Sequence, residues 1–416
     1  MKSNIYIYTH IALFLTLSNR ITAMHIISNN DNNKICHILN LPEELHFNII
    51  EKIIDSYIKD YIKIIDSEED TNLECIIKQI KAKLTNLFST CKQFKIIGQY
   101  EEKYIEKILN KRLLTLQLIQ ILNKSHCEKY FYNENFKNII DLITSGADIN
   151  SKNKNGYTAL ILSIIFGHQD IAKSLIEKNA DINIQNKYGD TALVWAAYNG
   201  YTDLVRLFLA KENSTCSISE EIKYSALMWA AIKGNKEIVK LLLDINLFID
   251  VVNKDGTNPL MAAAFYGHFN VVKLLIQKGS DINCQDKTGR NALTYATYNG
   301  HKNIIKFLIN NGITVNIQDN QEGSPLIIAI CNGHIKLSKL LIKSKIDVNI
   351  KDKDGNTALM HAAMQGHINI AKLLIDAGAK IDESNKHGQT ALIIATDNYN
   401  INIAELLVSN KCCTIF

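Results

Sequence analysis

The sequence predicts an all-α fold, a solenoid of stacked helical hairpins preceded by a small helical domain, and three observations carry that prediction. A capping residue followed by Ala or Pro and then Leu recurs eight times, with the leucines at Leu160, Leu193, Leu227, Leu260, Leu293, Leu326, Leu359 and Leu392. The step is 33 residues everywhere except one step of 34. Each phrase is followed by an apolar run, a Gly and a second apolar run. A period of this length means helical hairpins that bury their apolar faces only against neighbouring copies. Such a stack is an extended surface without a built-in active site, so its default role is to hold other proteins.

At the N-terminus, Lys2 precedes the apolar stretch Ile5-Tyr6-Ile7-Tyr8-Thr9-His10-Ile11-Ala12-Leu13-Phe14-Leu15-Thr16-Leu17, then polar Ser18-Asn19-Arg20 and Ile21-Thr22-Ala23. This pattern reads as a secretory signal over residues 1–23, cleaved after Ala23; the alternative is a frayed amphipathic N-terminus. Next, Leu41-Pro42-Glu43-Glu44-Leu45 followed by Ile49, Ile50, Ile53 and Ile54 places a Pro at a helix start, acids in the first turn and an apolar stripe at helical spacing. A second stripe holds Leu84, Leu87, Phe88, Cys91, Phe94 and Ile97.

Together the two stripes resemble an F-box over residues 39–98, lengthened by a charged stretch at 66–70. An F-box is the short helical module that docks on the Skp1-type adaptor of cullin ubiquitin ligases. The resemblance implies that Leu41, Pro42, Leu45 and Ile49 face that adaptor. The alternative is a plain helical cap that shields the first repeat from water. Residues 99–134 read as a helical linker and cap, and 116–150 as a degenerate first repeat.

The repeats occupy residues 135–411. In the unit from Asn186 to Gly200, Asn186 and Gly189 make a tight turn and Thr191 is placed to cap the first helix with its hydroxyl. The capping slot is filled in turn by Thr158, Thr191, Ser225, Asn258, Asn291, Ser324, Thr357 and Thr390, with Pro259 and Pro325 at the first helical position. First helices end near Gly167, Gly200, Gly234, Gly267, Gly300, Gly333 and Gly366; second helices stop at Gly146, Gly279, Gly312 and Gly378, with Asn179 and Asn246 in the same slot. Residues 212–222 read as a distorted junction in which Lys223 replaces the turn Gly, as Glu322 does later.

This series resembles the ankyrin repeat. One departure is that the family's usual His after its Thr-Pro-Leu phrase is replaced by Ile161, Val194, Met228, Met261, Thr294, Ile327, Met360 and Ile393. Its polar link between repeats is therefore expected to be absent, with stacking resting more on apolar burial.

The net charge of +4 and hydrophobic content of 47% argue against a general nucleic-acid binder. No apolar run of about 18 residues spans a membrane. Nine cysteines without a Cys-x-x-Cys pair form neither a disulfide framework nor a zinc site, and Cys284 and Cys331 read as free thiols near helix packing. His168, His268, His301, His334 and His367 recur after Gly, but packed helices about 8–10 Å apart cannot bring equivalent side chains to one ion with bonds near 2 Å, so these rings are expected to cap the second helix and its turn. No metal or other cofactor is expected. No phosphate loop, His-Glu-x-x-His, nucleophile elbow or carboxylate pair points to an enzyme.

A partner surface is expected where turn tips and inner faces of first helices line one concave side. Repeat alignment places Tyr157, Phe166, Tyr188, Tyr198, Tyr224, Lys233, Phe265, Tyr266, Arg290, Tyr298, Asn299, Met364, Gln365 and His387 there, free of packing duty. Aromatics dominate, and aromatics with Arg carry binding energy in interfaces.

The tail 412–416 ends Cys413-Thr414-Ile415-Phe416, a prenylation pattern at Cys413 with Cys412 beside it for acylation; the alternative is a chance tetrapeptide. Any membrane contact would be through lipid alone. F-box, repeat array and lipidated tail together resemble effectors that intracellular bacteria deliver into eukaryotic hosts. That resemblance implies a secreted, monomeric protein that captures a target and links it to a host ligase.

Overall fold

The computed structural model describes residues 107, 110–112, 114–122, 133–212, 217–245 and 247–413. The expected secretion signal, the F-box-like module with Leu41, Pro42, Leu45 and Ile49, most of the linker, Asn246, and the last three residues lie outside the described residues.

The chain divides into two compact units. In the first, residues 114–121 are helical and most of α1 (Asn133–Thr144) lies beside them, with Leu116, Leu118 and Ile139 buried. Asp148 N donates to Thr115 Oγ1 at 3.0 Å.

The second unit is the stack of hairpins. Its inner helices are α2 (Ala159–Ile165), α4 (Ala192–Asn199), α6 (Glu220–Lys233), α8 (Pro259–Tyr266), α10 (Ala292–Tyr298), α12 (Pro325–Cys331), α14 (Ala358–Met364) and α16 (Ala391–Asp397). Each is followed by an outer helix: α3 (Gln169–Glu177), α5 (Thr202–Glu212), α7 (Lys236–Asp244), α9 (Phe269–Gln277), α11 (Lys302–Asn310), α13 (Ile335–Lys343), α15 (Ile368–Asp376) and α17 (Ile401–Cys413). Inner helices pack on inner helices of adjacent repeats and outer on outer. No strand occurs among the described residues, only the bridges Lys351 to Thr357 and Ser384 to Thr390.

The signature leucines from Leu160 to Leu359 are at most 1% exposed. At about 1.5–3 kcal/mol for each buried side chain, this periodic burial is the main source of stacking stability. Leu392, in the last repeat, is only half-buried.

Six capping residues act as expected: Thr158, Asn258, Asn291, Ser324, Thr357 and Thr390 each accept from the backbone N–H three residues on. Two do not. Thr191 makes no capping bond, and its buried hydroxyl has no partner. Ser225 lies inside α6, which starts five residues earlier with Ser219 as its N-cap. Without a turn Gly nothing interrupts that helix, and Glu220 and Glu221 in its first turn favour the positive end of the helix dipole. Lys223 is therefore helical rather than a turn residue, bonded to Glu220 at 2.8 Å.

Backbone reversals fall where glycines were expected, and Asn179 (φ 62°) and Glu322 (φ 57°) adopt the left-handed conformation in their slots. Lys345 (φ 62°) and Tyr399 (φ 58°) also do so, at positions the sequence did not flag. Stacking holds them in a conformation their side chains disfavour.

Repeats are also joined by polar links, made not from the slot after the signature leucine but from the residue that follows the turn ending each inner helix. His268 Nε2 donates to Ile232 O at 2.7 Å, His301 to Phe265 O at 2.9 Å and His334 to Tyr298 O at 3.2 Å. In the same slot Asn235 reaches Ala197 O and Asn400 reaches Ala363 O, each at 2.7 Å. These carbonyls lie in the last turns of inner helices, where the intrahelical ladder runs out, so the following repeat supplies them with donors; Ala197 O also accepts from its own C-cap, Gly200 N, at 3.3 Å. The histidine side chains thus do not cap their own outer helices. A second ladder runs through the loops: Asn150, Asn283, Asn316 and Asn349 accept from the backbone N–H of Asp181, Thr314, Asp347 and Lys380, respectively.

Candidate functional site

Small residues at the packed side of the inner helices, such as Ala196, Ala197, Ala263 and Ala264, let adjacent helices approach closely. The opposite side of each helix carries the residues two, five and six positions after the signature leucine, and there the rings gather. Tyr198 sits between Trp195 and Trp229, with centroids 5.6 and 5.2 Å away in edge-to-face geometry. Lys233 Nζ lies 4.1 Å from the Tyr198 centroid, a cation–π contact. Further along, Phe265 meets Tyr266 at 5.0 Å and Tyr295 at 5.7 Å, and Tyr266 stacks on His268 at 6.4 Å. Tyr266 and Tyr298 are 52% and 55% exposed, so more than half of each ring is open to a partner.

The remaining expected residues are dispersed, and several carry packing or hydrogen-bonding roles. Phe166 and Tyr224 are half-buried. Tyr157 is half-buried too, and burial, then the nearby Tyr188 and Asp190, push its phenol up. Tyr188 and His387 are exposed at turn tips. Arg290 pairs with Asp319 at 3.0 Å. Asn299 donates to Phe265 O and Gln365 to Cys331 O, both at 3.0 Å, so these two are links between repeats rather than free contact residues. Met364 is exposed. Trp195, Trp229 and Tyr295, which complete the clusters, were missed by the sequence reading. Their signal was available: all three stand two residues after a signature leucine.

An Asx turn positions every inner helix except α6. Asp286 Oδ1 accepts from Thr288 N and Arg290 N, and its other oxygen accepts from the Tyr295 hydroxyl. Burial and the bond to Asp286 raise the Tyr295 phenol to about 12. In the last complete pair, Asp352 Oδ1 accepts from Asp354 N and Asn356 N while Oδ2 lies 2.7 Å from His361 Nε2.

The family model for Ankyrin repeats (3 copies) matches residues 129–220, 215–286, 276–352 and 339–415. The chain belongs to the ankyrin-repeat family. No curated protein matches it. Ankyrin stacks are protein-interaction modules and typically non-enzymatic scaffolds. Among the described residues no helix is long and apolar enough to cross a membrane, and no cluster of His, Cys, Asp and Glu is arranged to hold a metal ion. Cys412 and Cys413 fall at the end of α17.

Proposed function

We propose that the inner face of the ankyrin stack captures a target protein and that the F-box-like module at 39–98 links this target to a Skp1-type ubiquitin-ligase adaptor. The observation that carries the first part is the pair of ring clusters, Trp195-Tyr198-Trp229 under Lys233 and Phe265-Tyr266-Tyr295 beside it. Half-exposed aromatics next to a cation are the side chains that contribute most when buried by a partner. The second part rests on Leu41-Pro42-Glu43-Glu44-Leu45 and the apolar stripe behind it. Secretion through residues 1–23 and lipid attachment at Cys413 and Cys412 would place the protein on a host membrane, as in the bacterial effectors it resembles.

A photo-crosslinking residue in place of Tyr266 should trap one target from eukaryotic lysate, and the wild-type protein should retain Skp1. Replacing Leu41 and Pro42 together by Ala should abolish Skp1 retention and leave the crosslink intact. A protein that never retains Skp1 loses the ligase link; one that also gives no crosslink loses the capture role.

A further inference from the structure

Cys331, at the exposed C-terminal end of α12, places Sγ 3.4 Å from Nδ1 of His361 on α14. The other ring nitrogen, Nε2, lies 2.7 Å from Asp352 Oδ2. Two backbone N–H groups hold Asp352 Oδ1, so the carboxylate is fixed against the ring. With the proton on Nε2 directed to Asp352, Nδ1 presents a lone pair to the thiol. Nucleophile, base and orienting carboxylate thus stand in sequence. Repeat alignment shows what is peculiar here. Two repeats earlier, the same slots hold Asp286 and Tyr295, where the turn carboxylate only steadies a phenol. His361 replaces that phenol, and Cys331 stands where α10 has Tyr298. Burial alone would lower the His361 pKa, yet the sulfur and Asp352 together raise it above the ordinary histidine value. Cys284 is unlike Cys331: it is half-buried, and burial, then Asp250 and Asp281, push its thiol up.

We propose that Cys331, His361 and Asp352 form an activated thiol that is covalently modified by α,β-unsaturated carbonyl compounds. The Cys331 proton passes to His361 Nδ1 as Sγ bonds to the β-carbon. The carbon–carbon π pair moves toward the carbonyl, and the α-carbon then takes the proton back from His361. No group leaves and no oxidant is consumed. Addition is favoured over acyl transfer because Cys331 ends its helix, where carbonyls rather than N–H groups are directed outward, leaving no donors there for an acyl oxyanion. The adduct would stand in the slot that Tyr298 fills on α10, so it would alter partner capture; that consequence, unlike the reaction, rests on the proposed function.

The test is the rate of N-ethylmaleimide labelling at each cysteine of the full chain, followed by peptide mass spectrometry. Cys331 should react about 10-fold or more faster than N-acetylcysteine under the same conditions, within the range of general-base assistance. His361→Asn and Asp352→Asn should each remove most of that advantage while Cys284 labelling stays unchanged, which also reports that the stack remains folded. If either variant unfolds and exposes Cys284, His361→Gln provides the same comparison. A Cys331 rate no higher than that of N-acetylcysteine, or one unaffected by loss of the imidazole in a folded variant, overturns the proposal.

Discussion

His301 donates from Nε2 to the main-chain oxygen of Phe265 in the preceding repeat, at 2.9 Å. The ring fits because Gly267 lies beneath it: a Cβ at that position would stand 2.5 Å from His301 Cε1. Gly267 also has φ +81°, so one residue ends α8 and admits the neighbouring ring. Gly279 (φ +91°) has the same backbone requirement but open space around it. Gly279→Ala should therefore cost about 1–2 kcal/mol, the left-handed penalty alone. Gly267→Ala should cost about 1 kcal/mol more, through the displaced hydrogen bond. Urea denaturation of the two variants checks the difference, and equal costs would show that the ring simply swings away.

Lys345 occupies a glycine slot with φ 62° and an exposed side chain. Lys345→Gly should stabilise the stack by about 0.5–1 kcal/mol, since relief of left-handed strain exceeds the added freedom of the unfolded chain. A rise of about 1–4 °C in melting temperature is expected, and a fall would show that the lysine stem makes an apolar contact worth more than the strain.

Tyr198 and Tyr298 occupy the same position on inner helices three repeats apart but differ in setting. Tyr198 is wedged between two indoles, so its replacement by Ala should lower stability by about 2 kcal/mol. Tyr298→Ala should change stability by no more than about 0.5 kcal/mol and instead weaken target capture by about 2 kcal/mol. Thermal melts and binding assays on both variants separate packing from recognition.

Burial disfavours the Asp352 carboxylate, but the His361 ring and the turn amides outweigh it and hold the carboxyl below its ordinary value of 3.8. That contribution is present above pH 3.8 and is lost as pH falls through the lower folded value. His361 is raised above 6.5, so its contribution is full below pH 6.5 and is lost as pH rises through the folded value. The pair therefore stabilises most between the two ordinary values. His361→Asn should lower the melting temperature by about 3–8 °C at pH 5.5, and by less at pH 9. A deficit that grows with pH would reverse the sign and remove the ion pair from the account.

Local signals were read correctly where a single residue type decides the backbone. Glycines that end helices, prolines at Pro259 and Pro325, and most capping side chains need only their own turn. Ser225 was misplaced because the junction before it lacks a stop signal, and an uninterrupted helix is the physical default. Lys345 and Tyr399 could not be read as left-handed, since stacking rather than propensity imposes that conformation. The His–carbonyl links depend on a contact one repeat away, although Gly-His in five repeats, with Asn235 and Asn400 in the same slot of two others, carried the signal. At the candidate site, Tyr266 and Tyr298 were legible as exposed rings, whereas Trp195 and Trp229 were overlooked through their apolar character. Cys331, Asp352 and His361 are brought together only by the register of two adjacent repeats.

The asparagine ladder through the loops has a mechanical consequence. Asn283, Asn316 and Asn349 each tie one repeat to a backbone N–H in the next, so tension applied along the stack loads these rungs in series. A pulled end should peel away one repeat at a time, each rupture releasing roughly 33 residues, or about 110 Å of extended chain. The protein would then lengthen in even steps under load and could take up its slack one hairpin at a time, behaving as an extensible tether as much as a binding surface.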